Sequence, residues 1–69
     1  MSLLKVIEVM SNSTTSWEDA TQQAVTEASK TLKNIRSAYV KEQTAQVVDG
    51  RVTEYRVNLK ITFEIEHKQ

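Results

Sequence analysis

The sequence predicts an α+β fold in the order β-α-β-β, with a three-stranded antiparallel sheet curled against one helix. Three features predict it: an alternation of apolar and polar residues near the end of the chain, a helical repeat of small and apolar residues earlier, and an Asp-Gly pair between two strand-like segments. The chain has 69 residues and no proline, so we expect a single domain, residues 1–69, without a linker.

The first predicted strand covers residues 3–10, and a predicted helix follows a polar, turn-forming segment at residues 11–15. Apolar residues fall on both faces of this strand, so we expect contacts on both sides. The expected N-cap of the helix is Thr15 or Ser16, and Glu18 or Asp19, three residues later, completes a capping box. Asn34 can close the helix in the left-handed conformation. One stripe on the helix is formed by Trp17, Ala20, Thr21, Ala24, Val25, Ala28 and Leu32.

The second and third predicted strands, residues 35–48 and 51–66, are joined by Asp49 and Gly50, a pair that favours a two-residue hairpin. A helical crossover makes the first two strands parallel, so the third can lie between them and run antiparallel to both. A bulge would shift the register by one residue. The expected pairs are Val48 with Arg51, Val40 with Leu59, Ala38 with Ile61, Ser37 with Thr62, Tyr39 with Lys60, Lys41 with Asn58 and Gln43 with Arg56.

The third strand is long for a chain of this size. Its residues alternate strictly over residues 51–66, and a straight strand of that length reaches roughly 45–50 Å. A compact chain of this length is only about 28 Å across. The strand therefore bends sharply or extends beyond its own domain, and an overhanging apolar face needs partner subunits. We expect a homo-oligomer.

The composition of the chain argues against several classes of function. Nine basic and nine acidic residues give a net charge of zero, which argues against nucleic acid as the main partner. No apolar run approaches the length of a membrane span, and the start lacks a signal-peptide pattern, so we expect a cytoplasmic protein. Cysteine is absent, which excludes disulfides and thiolate metal sites.

Residues able to support catalysis are few. The single histidine, His67, lies near the end of the chain, and the single glycine belongs to the hairpin turn rather than to a phosphate loop. We therefore expect no enzyme. Trp17 is interpreted as a packing residue of the helix stripe, with ligand stacking as the alternative. Tyr39 is expected on the polar face of the sheet, either exposed or at an interface, with the same alternative.

The carboxylates of the strands have no calcium-loop spacing. A symmetric ring can nevertheless bring one copy of each carboxylate per subunit to a rotation axis, and such a site leaves no linear motif. The other interpretation is that they are solvated strand residues. These residues are Glu42, Glu54, Glu64 and Glu66.

Several motifs in order resemble the dodecins, small β-α-β-β proteins that assemble as hollow dodecamers and bind flavins. The resemblance covers nearly the whole chain and rests on KVIEV, SNSTTSWEDATQQAV, VVDG and YRVNLKITFEIE. It implies a flavin pocket at Ser37, Tyr39 and Arg56. Flavin-binding dodecins carry a stacking Trp where this chain has Ser37, and a Gln that binds the ring edge where it has Arg56. The resemblance therefore implies weak or absent flavin binding.

Four short matches are closer to a subgroup, the calcium dodecins of bacteria: TSWE at residues 15–18, IR at 35–36, V-x-EQ at 40–43 and YR at 55–56. They imply calcium in place of flavin, without assigning its ligands. The candidate ligands Glu42, Glu64 and Glu66 are chosen because symmetry can bring carboxylates together at an axis. The resemblance thus implies a non-catalytic homododecameric shell, built from trimers, that sequesters a small ligand or ion. The alternative is a structural or interaction scaffold with vestigial pockets.

Overall fold

The computed structural model describes residues 3–65 and has the predicted order of elements. Strand β1 is Leu3–Ser13, helix α1 is Trp17–Ala28, strand β2 is Ile35–Val48 and strand β3 is Arg51–Ile65. The sheet order is β1-β3-β2, and β3 runs antiparallel to both neighbours, as predicted. The α+β fold is confirmed. The expectations for Glu66 and His67 fall outside the described residues.

The core lies between α1 and one face of the sheet. Val57, Leu59 and Ile61 of β3 are completely buried, and Ala20 and Ala24 of α1 pack against them. Small side chains on the helix let its backbone approach the central strand closely. The alternation of apolar and polar residues in β3 follows from this packing, because the odd-numbered, apolar residues face the helix.

The N-cap of α1 is one of the two predicted residues, but the predicted capping box does not form. Ser16 is the N-cap, and its Oγ accepts a hydrogen bond of 3.0 Å from the backbone nitrogen of Asp19. The Asp19 carboxylate does not complete a capping box. It accepts a hydrogen bond of 2.6 Å from the hydroxyl of Ser13, which in turn accepts one from the backbone nitrogen of Thr15 at 2.9 Å. The end of β1 and the start of α1 therefore share one buried hydroxyl, because Ser13 is only 5% exposed.

The helix is shorter than its apolar stripe predicts. It ends at Ala28, and the Ser29 hydroxyl donates to the Val25 carbonyl at 2.7 Å. Turns that follow carry the chain to Asn34, which is left-handed with φ of 63° as predicted. Asn34 directly precedes β2 and so opens the strand, rather than closing the helix.

The β2–β3 hairpin turns at Asp49 and Gly50, whose φ angles of 52° and 75° are those of a type I′ turn. Val48 pairs with Arg51 as predicted, and the pairs of Ser37, Ala38, Tyr39 and Val40 are also confirmed.

Between these two regions the predicted register is wrong. One extra residue on β3, at Thr53, and one on β2, at Lys41, are bulges that shift the ladder by one residue and then restore it. Asn58 consequently pairs with Glu42 instead of Lys41, and Arg56 pairs with Thr44 instead of Gln43. The two shifts cancel, so the register at Val40 is unaffected.

The hairpin extends past the helix, and the chain measures 58 × 19 × 13 Å along its principal axes. Of the two alternatives that the length of the third strand predicts, a sharp bend or an overhang, the structure shows the overhang. Val47, Val48 and Val52 near its tip are exposed. No helix among residues 3–65 is long and apolar enough to cross a membrane.

The face of the sheet opposite α1, here called the open face, carries the even-numbered residues of β1 from Leu4 to Asn12 and of β3 from Arg56 to Glu64, with their partners on β2. The first strand is therefore covered on one side only within a single chain. Exposed large apolar residues on the open face are Leu4, Val6, Met10 and Tyr39.

Candidate functional site

The three residues predicted to line a flavin pocket all lie on the open face. Ser37 is opposite Thr62, and Tyr39 is opposite Lys60. Arg56 is paired with Asn12 on β1 and with Thr44 on β2. The shared face follows from the even spacing of these positions along the ladder.

The open face brings only two of the three together. Ser37 and Tyr39 are next-but-one neighbours on β2, and the tyrosine ring is 66% exposed. Arg56 lies six positions along β3 from Thr62, the partner of Ser37, which is about 20 Å at the usual rise per strand residue. Within one protomer these residues do not form a single pocket, so a shared pocket needs a second copy of the chain.

Arg56 is held in place by a neutral partner. Its Nε donates a hydrogen bond of 3.0 Å to the Oδ1 of Asn12 on the neighbouring strand. The arginine is half-buried. Its guanidinium is thus oriented across the β1–β3 ladder.

The predicted calcium ligands are also spread along the face. Glu42 is exposed opposite Asn58. Glu64 lies at the other end of the sheet and forms an ion pair with Arg36, whose Nε donates to Oε1 at 2.9 Å and whose Nη2 contacts the same atom. Glu66 is outside the described residues. Among residues 3–65, no group of three His, Asp or Glu side chains comes close enough to hold a metal.

Asn58 occupies the centre of the open face between Met10 and Glu42. Its Oδ1 atom is buried and has no hydrogen-bond partner within the described part of the chain. A buried acceptor of this kind usually has a partner, such as an ordered water or an ion. Sequence reasoning missed it, because an asparagine in an alternating strand is an ordinary solvent-facing residue by pattern alone.

The bulge at Lys41 has an electrostatic consequence that the sequence does not indicate. The Lys41 Nζ lies 3.4 Å from the Glu8 Oε2, so an ion pair joins β2 to β1 across the central strand. The hydrogen bond and the positive charge of Lys41 hold the pKa of Glu8 below its ordinary value. The pair ties the two outer strands together on the open face.

Two clefts lie on the helix side of the sheet instead. One of about 390 Å³ opens between α1 and β1 beside Val9 and Met10. Another of about 300 Å³ lies between α1 and β2 beside Trp17 and Val40. Neither is lined by the predicted flavin-pocket residues or by the candidate calcium ligands, so the open face remains the candidate site.

Trp17 is anchored as a packing residue. Its indole Nε1 donates to the backbone oxygen of Thr44 at 2.9 Å, and its ring meets that of Tyr55 edge to face, with centroids 5.1 Å apart. These two contacts agree with the interpretation of Trp17 as a packing residue.

Comparison with known proteins identifies relatives of the same shape and length. Residues 3–66 match the family model described as Dodecin. A protein named calcium dodecin from Mycobacterium tuberculosis is 38% identical over 69 residues, which cover 100% of this chain and 97% of that protein.

Solved structures similar to this chain are also dodecins. The structure described as calcium-chelating calcium dodecin of M. tuberculosis, with a novel calcium-binding site, matches with a TM-score of 0.81 and 38% identity, covering 99% of this chain and 97% of that one. The dodecin of Streptomyces coelicolor matches with a TM-score of 0.90 and 33% identity, covering 97% and 96% of the two chains. Together with the β-α-β-β topology and the sheet order, these matches establish that the chain belongs to the dodecin family.

Proposed function

We propose that this chain forms a non-catalytic homododecameric shell, built from trimers, that sequesters a small ligand or ion, and that calcium is the ion bound on its open face. The observation that carries the proposal is the buried Oδ1 of Asn58, which has no partner among residues 3–65 and belongs to a residue paired with Glu42 across the β2–β3 ladder. The calcium dodecin of M. tuberculosis, at 38% identity over the full chain, supports the choice of ion.

The donor atoms suit calcium. Calcium binds oxygen atoms of carboxylates and of Asn carbonyls, and Glu42 and Asn58 are opposite each other on one face. Side chains at directly opposed positions have Cβ atoms about 4.5–5.5 Å apart, so both oxygens can reach one ion. When bound, the ion would satisfy the orphaned acceptor of Asn58.

A single protomer cannot complete the coordination. Calcium takes about six to eight oxygen ligands, more than two side chains supply. Closed symmetry repeats the same pair in every subunit around an axis, which supplies further oxygens. The exposed apolar residues of the open face and the overhanging hairpin support assembly, since large unburied apolar patches mark interaction surfaces. Glu64 is the weaker candidate, because Arg36 already neutralises it, while Glu66 remains a prediction.

Flavin binding is expected to be weak. Ser37 offers no ring where the family resemblance places a stacking Trp, and loss of a stacking contact of this size weakens binding by about 1–3 kcal/mol. Tyr39 is exposed next to Ser37 and is the remaining aromatic residue at that position.

The experiment is a calcium titration by calorimetry on protein freed of metal, with native mass spectrometry to measure the assembly. We expect dodecamer mass, saturable calcium binding and a melting temperature that rises with calcium, because an ion that binds the folded state alone stabilises it. Glu42→Gln should weaken calcium binding at least tenfold. Glu18→Gln, on the exposed surface of α1, is the matched control and should leave it unchanged.

Absence of saturable calcium binding, or equal affinity in the wild type and Glu42→Gln, would contradict the calcium proposal. A full dodecamer that binds neither calcium nor flavin would favour the scaffold. The exposed apolar face supports that second function independently of any ligand.

A further inference from the structure

Arg56 differs in burial from the other cationic residues of the chain. It is the one Lys or Arg among residues 3–65 that is half-buried, whereas the others are exposed. A partly desolvated guanidinium has lost some of its water and gains more from a charged partner than an exposed one.

Its pairing differs from that of three exposed cations, while the exposed Lys5, Lys33, Arg51 and Lys60 are, like Arg56, without an ion pair among residues 3–65. The exposed cations Lys30, Arg36 and Lys41 each form an ion pair with a glutamate. Within residues 3–65, Arg56 instead makes its side-chain hydrogen bond to a neutral amide oxygen, that of Asn12, and forms no ion pair. The amide orients the guanidinium through Nε but does not neutralise it. The two terminal Nη groups are left to face a ligand.

The neighbouring strands supply further donors. Asn12 and Thr44 are the partners of Arg56 on its two sides, so an amide, a guanidinium and a hydroxyl form one row across the sheet. Because Asn12 accepts through Oδ1, its NH₂ group remains a donor. The pair of bulges creates this row, since an unshifted register would place Gln43 opposite Arg56.

We propose that the row Asn12–Arg56–Thr44 is an oxyanion-binding site, which selects ligands that carry a phosphate or a carboxylate group. A guanidinium presents two parallel N–H groups that match the oxygens of either group. The inference rests on the proposed function, because it names the class of ligand that the open face accepts beside the calcium position.

The carboxylates close to Arg56 on the open face leave it without an ion pair. Glu54 lies two residues earlier on β3, and Glu42 lies one diagonal step away, at about 7–8 Å between backbones. Neither forms an ion pair with Arg56 among residues 3–65. If Glu42 ligates calcium, as proposed above, it is not available to neutralise Arg56. An oxyanion bound at the row then supplies the missing negative charge.

The test uses the assembled full-length protein in calcium-free buffer at constant ionic strength. Inorganic phosphate is titrated and followed by broadening of its ³¹P NMR line, and acetate is compared with phosphate by the shift in melting temperature against chloride. We expect saturable phosphate binding in the wild type. A larger shift with phosphate identifies a phosphate-bearing ligand, and a shift of equal size with acetate identifies a carboxylate-bearing one.

Arg56→Gln is expected to raise the Kd for phosphate at least tenfold, and Arg56→Lys to raise it less, because a lysine keeps the charge but loses the planar fork. Arg51→Gln, at an exposed position of the same strand, should not change it. No saturable binding in the wild type, or an equal Kd in the wild type and Arg56→Gln, would overturn the proposal. Calcium affinity of the same variants is measured in parallel, so failure of the anion site is distinguished from failure of the calcium site.

Discussion

The indole nitrogen of Trp17 donates a hydrogen bond of 2.9 Å to the backbone oxygen of Thr44. The first residue of α1 is thereby tied to the segment of β2 that lies between the two bulges. On the other side of the sheet, this segment places Thr44 opposite Arg56 and Glu42 opposite Asn58. One contact on the helix side thus supports the geometry of the open face.

Replacing Trp17 tests this anchor. Trp17→Phe keeps a ring against Tyr55 but removes the indole donor, so we expect a loss of about 1 kcal/mol in the free energy of unfolding. Trp17→Ala also removes the packing of the ring and should cost about 3–5 kcal/mol. Both are measured by denaturant unfolding at one protein concentration, since the stability of an assembly depends on it. Equal stability of the wild type and Trp17→Phe would contradict the role of the hydrogen bond.

Leu59→Asp should abolish folding or assembly. Leu59 is fully buried against α1, and an isolated carboxylate there has no partner and loses its water. Lys33→Asp is the matched control, because Lys33 is exposed in the turns after α1 and lies outside the open face. Soluble yield and native mass are the measurements. A soluble Leu59→Asp protein of full mass would refute the assignment of Leu59 to the core.

Ser37→Trp should raise the affinity for riboflavin by roughly tenfold or more, because it adds a stacking surface worth about 1–3 kcal/mol beside Tyr39. The affinity is measured by titrating riboflavin with the protein and following the quenching of riboflavin fluorescence. Ser37→Leu is the control for added apolar volume without an aromatic face. If Ser37→Trp binds no better than the control, the flavin pocket has closed in this chain.

The ion pair of Glu8 with Lys41 predicts a pH dependence of stability. The pKa of Glu8 is lowered in the folded state, first by the hydrogen bond from Lys41 and then by its charge. The unfolded chain therefore binds the proton more tightly. The stabilising contribution is present above the ordinary glutamate pKa of about 4.3 and is lost as pH falls through the lower folded value.

Unfolding midpoints at pH 7 and at pH 3 measure this contribution. Glu8→Gln should be less stable than the wild type at the higher pH, and the difference should shrink at the lower one. High salt should reduce it as well, because both side chains are partly exposed. A difference that does not change with pH would mean that the pair contributes nothing to stability.

The secondary structure followed closely from local patterns. The bounds of β2 and the start of β3 coincide with the predicted ones, because a type I′ turn at Asp49 and Gly50 marks the hairpin with little ambiguity. The end of α1 did not follow from the pattern. Leu32 continues the apolar stripe, yet the helix stops at Ala28, where the Ser29 hydroxyl bonds back to the preceding turn.

The candidate site was predicted in part. The shared face of Ser37, Tyr39 and Arg56 came from alternation and the hairpin register. The same register wrongly placed Lys41 opposite Asn58, where the structure has Glu42. The separation of about 20 Å between Ser37 and Arg56 follows from their positions on paired strands. No sequence pattern marked Asn58 as a site residue, because its role depends on the residues paired with it on the neighbouring strands.

The sequence by itself determined the fold class, the order of the strands, the hairpin and the family, because period-two alternation and an Asp-Gly turn act over a few residues and need no distant contact. The tertiary structure decided the contacts of the open face. Two bulges of opposite effect, at Lys41 and Thr53, leave the register from Ser37 to Val40 as the hairpin turn sets it, so no local pattern reports them; a third shift lies at Arg36. They decide that Thr44 meets Arg56, that Glu42 meets Asn58 and that Lys41 reaches Glu8.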